Sequence, residues 1–109
     1  MRYLRLAEIA EESLDRIHDW TLLNFGPSQA QSYTLDILKR CYAVTEQSAA
    51  QQSCRDAFAA DLREDLRFTR SGQHYIIFIE SSSEVLIVDF VHSKSDIVGR
   101  LAKIGSFGA

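Results

Sequence analysis

The chain has 109 residues, 46% of them hydrophobic and 25% charged, with a formal net charge of −3. That length bounds it to one domain, residues 1–109, able to bury its own core. The acidic balance argues against a broad basic face for nucleic acid. The N-terminal Met1–Glu8 stretch lacks the apolar core of a signal peptide, and no apolar run is long enough to cross a bilayer, so a cytoplasmic protein is expected.

In chain order, Arg2–Leu6 reads as a short strand. Ile9, Leu14, Ile17, Trp20 and Thr21 then recur at helical spacing, with Glu8, Glu11, Glu12, Asp15 and Asp19 on the other face. The early acidic residues suit the positive end of a helix dipole. Phe25-Gly26-Pro27-Ser28 closes this helix: Gly26 can take a left-handed cap, and Pro27 can open a new helix. The second helix carries Ala30, Tyr33, Thr34, Ile37, Leu38, Cys41 and Val44 on one face, and Ser28 with Gln31 reads as a capping box. So short a break predicts an antiparallel helical hairpin.

Gln47–Ser53 is small and polar and reads as a loop, followed by one or two helical turns over Asp56–Leu62. Asp65–Arg70 alternates charged and apolar residues, which predicts a half-exposed strand, and Ser71-Gly72 signals a turn. His74–Ile79 and Val85–Val91 are near-continuous apolar runs, expected to be covered on both faces. Ser81-Ser82-Ser83 between them implies antiparallel pairing. Ile97, Leu101 and Ile104 mark a one-sided final helix, with Ser106–Ala109 as a short free end. The predicted class is α+β, in the order β-α-α-β-β-β-α, with the hairpin packed on a small antiparallel sheet.

Chemistry-bearing motifs are sparse. There is no Gly-rich phosphate loop, no G-x-S-x-G and no H-E-x-x-H, so no catalytic residue and no cofactor is assigned. Cys41 and Cys54 lie outside any metal-ligand spacing, so no metal site is expected and both are read as free thiols. His92 with Asp96 is the one pair that invites a base-and-orienter reading. A structural role is favoured, with Ser93 and Asp96 in a helix-capping arrangement and His92 bonding nearby backbone. Arg63, Arg67, Arg70, Lys94 and Arg100 form a basic set able to meet phosphates, but interleaved Glu64, Asp65, Glu84 and Asp89 favour a solvated or protein-binding face.

The element order and several local strings resemble the ParE toxins of bacterial type II toxin–antitoxin modules, within the RelE/ParE superfamily. The strings are Tyr3-Leu4 and Ala7, Phe25-Gly26 with Ala30 and Tyr33, Leu66-Arg67 before Ser71-Gly72, His74–Phe78, and Val91-His92-x-Lys94-x-Asp96-Ile97 with Leu101. Lys94 and Ser95 stand where the family usually has arginine and methionine. Gly26, His92 and Asp96 carry the structural signature. The resemblance implies a toxin that inhibits DNA gyrase and is neutralised by a ParD-like antitoxin, reaching operator DNA only through that antitoxin. The acidic charge and the lack of a tyrosine after Tyr75 favour this branch over a RelE-type, ribosome-dependent endoribonuclease; an inactive member that only binds antitoxin is a third reading. Leu22, Leu23 and Tyr42, apolar residues outside the core stripes, are expected to meet the antitoxin. Arg67, Arg70, Lys94, Phe107, Gly108 and Ala109 are expected to meet the target. Phe107 has two readings, as a target anchor or folded back onto the core.

Overall fold

The computed structural model describes residues 2–104. Strand β1 (Tyr3–Leu6) leads into helices α1 (Glu8–Phe25) and α2 (Pro27–Thr45). A two-residue strand β2 (Gln52–Ser53) and one turn of helix α3 (Cys54–Ala57) follow. Strands β3 (Arg67–Ser71), β4 (His74–Glu80) and β5 (Glu84–His92) then precede helix α4 (Ile97–Lys103). This is the expected α+β hairpin on a sheet.

The sheet order is β1-β5-β4-β3-β2, and the pairings are antiparallel except one. β1 lies parallel to β5, Tyr3 opposite Glu84 and Leu6 opposite Ile87, so the sheet is mixed. No local signal gives β1 its partner, because that pairing joins residues some 80 positions apart. The loop region also differs: its helical turn sits at Cys54–Ala57, not Asp56–Leu62, and Gln52–Ser53 adds an edge strand to β3.

The long apolar strands are covered on both faces, as expected of their composition. Ile76, Phe78, Val85, Ile87 and Phe90 meet Ile37, Cys41 and Val44 of α2 and Ala10 of α1. On the reverse face Ile77, Val88 and Val91 meet Phe68, Cys54, Leu62, Leu66 and Leu101. Cys41 and Cys54 therefore occupy opposite sides of the sheet, and both are free thiols. Burial pushes each thiol up to about 12, so neither is a ready nucleophile.

The buried stripe of α1 differs from the expected one. Ala10, Ser13 and Thr21 are buried, whereas Ile9 and Trp20 are exposed. Small residues let the helix axis approach β5 closely, and the large side chains are pushed to the flanks. α2 keeps its expected stripe of Ala30, Ile37, Cys41 and Val44. Its N-cap is Gly26, with Pro27 at the first helical position and no side-chain cap, so the Ser28–Gln31 box does not form. At the other end Arg2 closes α2. Its Nη2 donates to the Val44 carbonyl at 2.7 Å and its Nη1 pairs with Glu80 at 2.6 Å. A cation there complements the negative end of the helix.

Candidate functional site

The hairpin tip is built by Phe25-Gly26-Pro27. Gly26 has φ +91°, the left-handed region that favours glycine, and its N–H donates to the Leu22 carbonyl at 3.0 Å. The tip overhangs the start of β4 and the end of β5. A cavity of about 500 Å³ lies beneath it. Trp20, Phe25 and Ile17 from α1, Tyr33 from α2, and Phe90 of β5 form its apolar wall.

One side of the cavity is organised by Asp89. Asp89 is only 4% exposed, and β5 bulges beside it: Ile77 faces Asp89 and Phe78 faces Ile87, which leaves Val88 unpaired. A buried carboxylate needs donors. Asp89 accepts from Ser13 Oγ at 2.6 Å, from the Phe90 N–H at 2.8 Å and from Arg100 Nη2 at 3.3 Å. Arg16 Nη2 in turn donates to Ser13 Oγ at 3.1 Å. The chain Arg16–Ser13–Asp89–Arg100 thus ties α1, β5 and α4 together.

The other side is organised by Tyr33. Its hydroxyl bonds His74 Nδ1 at 2.7 Å, accepts from the Gln73 N–H at 3.0 Å and lies 3.3 Å from the Ser71 carbonyl. The ring also packs on Gly72, where an added Cβ would stand 2.6 Å from Tyr33 Cε1. Gly72 itself has φ +57°, so the Ser71-Gly72 turn signal is realised. His74 meets His92 edge-on with ring centroids 5.0 Å apart. Burial, and secondarily the neighbouring His92, lower the His74 imidazole to about 4. Burial likewise raises the Tyr33 hydroxyl above its ordinary value. At neutral pH this pair is a neutral imidazole beside a protonated phenol.

The residues singled out in the sequence are dispersed. Asp96 caps α4, its Oδ1 accepting from the Gly99 N–H at 3.1 Å, while His92 Nδ1 accepts from the Lys94 N–H at 3.0 Å. His92 and Asp96 thus serve separate backbone contacts, and the capping residue is Asp96, not Ser93. Arg67 and Arg70 point to opposite faces of the sheet. Arg67 bonds Gln51 and lies 3.6 Å from Glu80, on the hairpin side. Arg70 stacks over Tyr75 at 5.5 Å on the reverse face. Lys94 is exposed in the turn after β5. Phe107, Gly108 and Ala109 lie outside the described residues.

Leu22, Leu23 and Tyr42 are all exposed on the hairpin, Leu23 at 86%. Leu22 and Leu23 flank the tip, whereas Tyr42 lies in the last turns of α2, so the three mark the two ends of one helical layer. Leu35 is exposed on α2 between them. The part played by Arg16, Ser13, Asp89 and Phe25 is not among the sequence-based expectations. The available signals were Asp89 inside an apolar strand and the arginine one turn before Trp20. No group of metal-ligating side chains occurs among the described residues, and no helix there is long and apolar enough to cross a membrane.

Comparison with known proteins converges on one family. The family model for the ParE toxin of the type II toxin–antitoxin system parDE matches residues 4–97. A solved chain of the chromosomal ParDE TA system from P. aeruginosa superposes with a TM-score of 0.66 at 19% identity, covering 86% of this chain and 98% of that one. No curated protein sequence matches. The family match spans most of the chain and the solved chain shares its fold: this chain belongs to the ParE toxin family of type II toxin–antitoxin systems.

Proposed function

We propose that this chain, residues 1–109 acting as one domain in the cytoplasm, is a toxin that inhibits DNA gyrase by binding it, without chemistry of its own. A ParD-like antitoxin neutralises it and carries any contact with operator DNA. The observation that supports this reading best is the apolar surface left on the hairpin. Leu22, Leu23, Leu35 and Tyr42 are all exposed on the hairpin, spread from its tip to the last turns of α2. An amphipathic segment of the antitoxin laid along the hairpin would cover them. Arg70, Lys94, Arg67 and the tail through Phe107, Gly108 and Ala109 are the surfaces assigned to gyrase.

The groove chemistry supports a binding role over an enzymatic one. A general acid or base works best with its pKa near the operating pH. His74, lowered to about 4, and Tyr33, raised above its ordinary value, both stand away from it.

The test is a supercoiling assay with purified full-length toxin, alongside mRNA cleavage on ribosomes. Gyrase inhibition that the co-encoded antitoxin relieves is expected. Leu23→Glu should leave thermal stability within about 0.5 kcal/mol, as for an exposed site, and weaken antitoxin binding at least tenfold. Ribosome-dependent cleavage without gyrase inhibition would overturn the proposal.

A further inference from the structure

The hairpin stripe and the groove beneath the tip differ in chemistry. The stripe is mostly aliphatic and outward-facing, whereas the groove combines exposed rings with guanidinium groups. Trp20 and Phe25 hold each other edge-on, with centroids 5.8 Å apart at 61°, yet Trp20 is 59% exposed and Phe25 64%. A tryptophan fixed by a ring neighbour at the mouth of a cavity offers a flat π-face to a planar ligand. Arg16 stands one helical turn before Trp20, so their Cβ atoms are about 6 Å apart on the same side of α1. That spacing is comparable to the base-to-phosphate span of a nucleotide.

Asp89 sets the two cations in place. It holds Arg100 directly and Arg16 through Ser13, over bonds of 3.3, 2.6 and 3.1 Å. Each guanidinium carries five N–H donors, and the bonds described engage one on each side chain. Two arginines against one buried carboxylate leave a net positive rim, the complement of an anion. The cavity of about 500 Å³ has the size of an ordinary small-ligand site. His92 lines it beside Phe90 and supplies an imidazole for a base edge.

We propose that this groove binds a free nucleoside phosphate, the base lying against Trp20 and the phosphate between Arg16 and Arg100. A free nucleotide is favoured over a nucleic-acid strand by charge. Glu8, Glu11, Glu12, Asp15 and Asp19 are exposed along α1, and the chain carries −3 overall. That net negative field opposes a polyanionic strand along its length, whereas a single phosphate in the groove meets the two arginines. This inference stands apart from gyrase inhibition, and the two succeed or fail in different assays.

Trp20 is the sole tryptophan, so its fluorescence reports this site. The purified full chain is titrated with AMP, GMP, CMP and UMP, excited at the red edge where the bases do not absorb. Adenosine, inorganic phosphate, a short single-stranded oligoribonucleotide and the co-encoded antitoxin are parallel arms. Saturable quenching by at least one mononucleotide is expected, at micromolar to millimolar concentration, with adenosine and phosphate each at least tenfold weaker. Arg16→Gln should weaken that binding at least tenfold while the melting curve stays in place. The proposal is overturned if no mononucleotide quenches saturably, or if phosphate alone binds as well. It is also overturned if the oligoribonucleotide binds at least tenfold tighter per nucleotide, which would mark a strand site. Quenching by the antitoxin alone would mark a protein-docking site and overturn it too.

Discussion

The two faces of the sheet bury similar apolar strands but treat polar groups differently. On the reverse face Phe58, Phe68 and Tyr75 pack ring to ring, with centroids 4.8 to 5.4 Å apart, and the buried cluster is wholly apolar. On the hairpin face lie Ser13, Thr21 and Thr69, three of the buried polar residues, and Asp89 joins them through Ser13. Each of the four has a hydrogen-bond partner among the described residues. Burying polar groups costs stability unless each is satisfied. One face is core alone, whereas the other is core plus a preorganised polar frame around a cavity.

The largest expected effect comes from Ile37→Asp, which sets an unpaired charge among fully buried residues of the hairpin-side core. A loss of about 3–5 kcal/mol is expected. Because β4 and β5 contribute side chains to both clusters, the two faces should melt together. A native-like cooperative melt of this variant would contradict the packing described.

A smaller loss should separate the faces. Asp89→Ala removes the acceptor shared by Ser13, Phe90 and Arg100, leaving a buried hydroxyl and an N–H without it. We expect about 2–3 kcal/mol of destabilisation, together with altered amide shifts in α1 and α4. Shifts confined to β5 would show that the polar chain does not couple these helices.

The smallest effect is a pH dependence confined to the hairpin face. His74 titrates near 4 in the folded protein and near 6.5 when unfolded. Between those values the unfolded chain binds the extra proton, so stability falls as pH drops from 6.5 towards 4 and levels off below it. Since the ring is only partly buried, the loss is on the order of 1–2 kcal/mol after solvent screening. His74→Gln should flatten that segment of the stability profile. An unchanged profile would place the acid sensitivity in another group.

Much of the framework was legible from local signals. Phe25-Gly26-Pro27 marked the hairpin tip because glycine alone tolerates φ +91° without strain and proline prefers the first helical turn. The apolar runs of β4 and β5 announced strands covered on both sides. The buried face of α1 was misread because apolar spacing does not report close approach, where Ala10 and Ser13 displace Ile9 and Trp20. Arg67 and Arg70 were grouped from sequence, yet a separation of three places them on opposite faces of a strand.

Sequence by itself determined the two long helices, the final helix, the strands other than β2, the hairpin turn and the family likeness, since these rest on periodicity, turn chemistry and short strings. Only the tertiary structure decided that β1 lies parallel to β5, that Asp89 is buried beside a bulge in β5, and that Arg16, Arg100, Tyr33, His74 and His92 share one cavity. Those outcomes join residues as far as 84 positions apart, as Arg16 and Arg100 are. Contacts at that separation are fixed by global packing, and no local propensity encodes them.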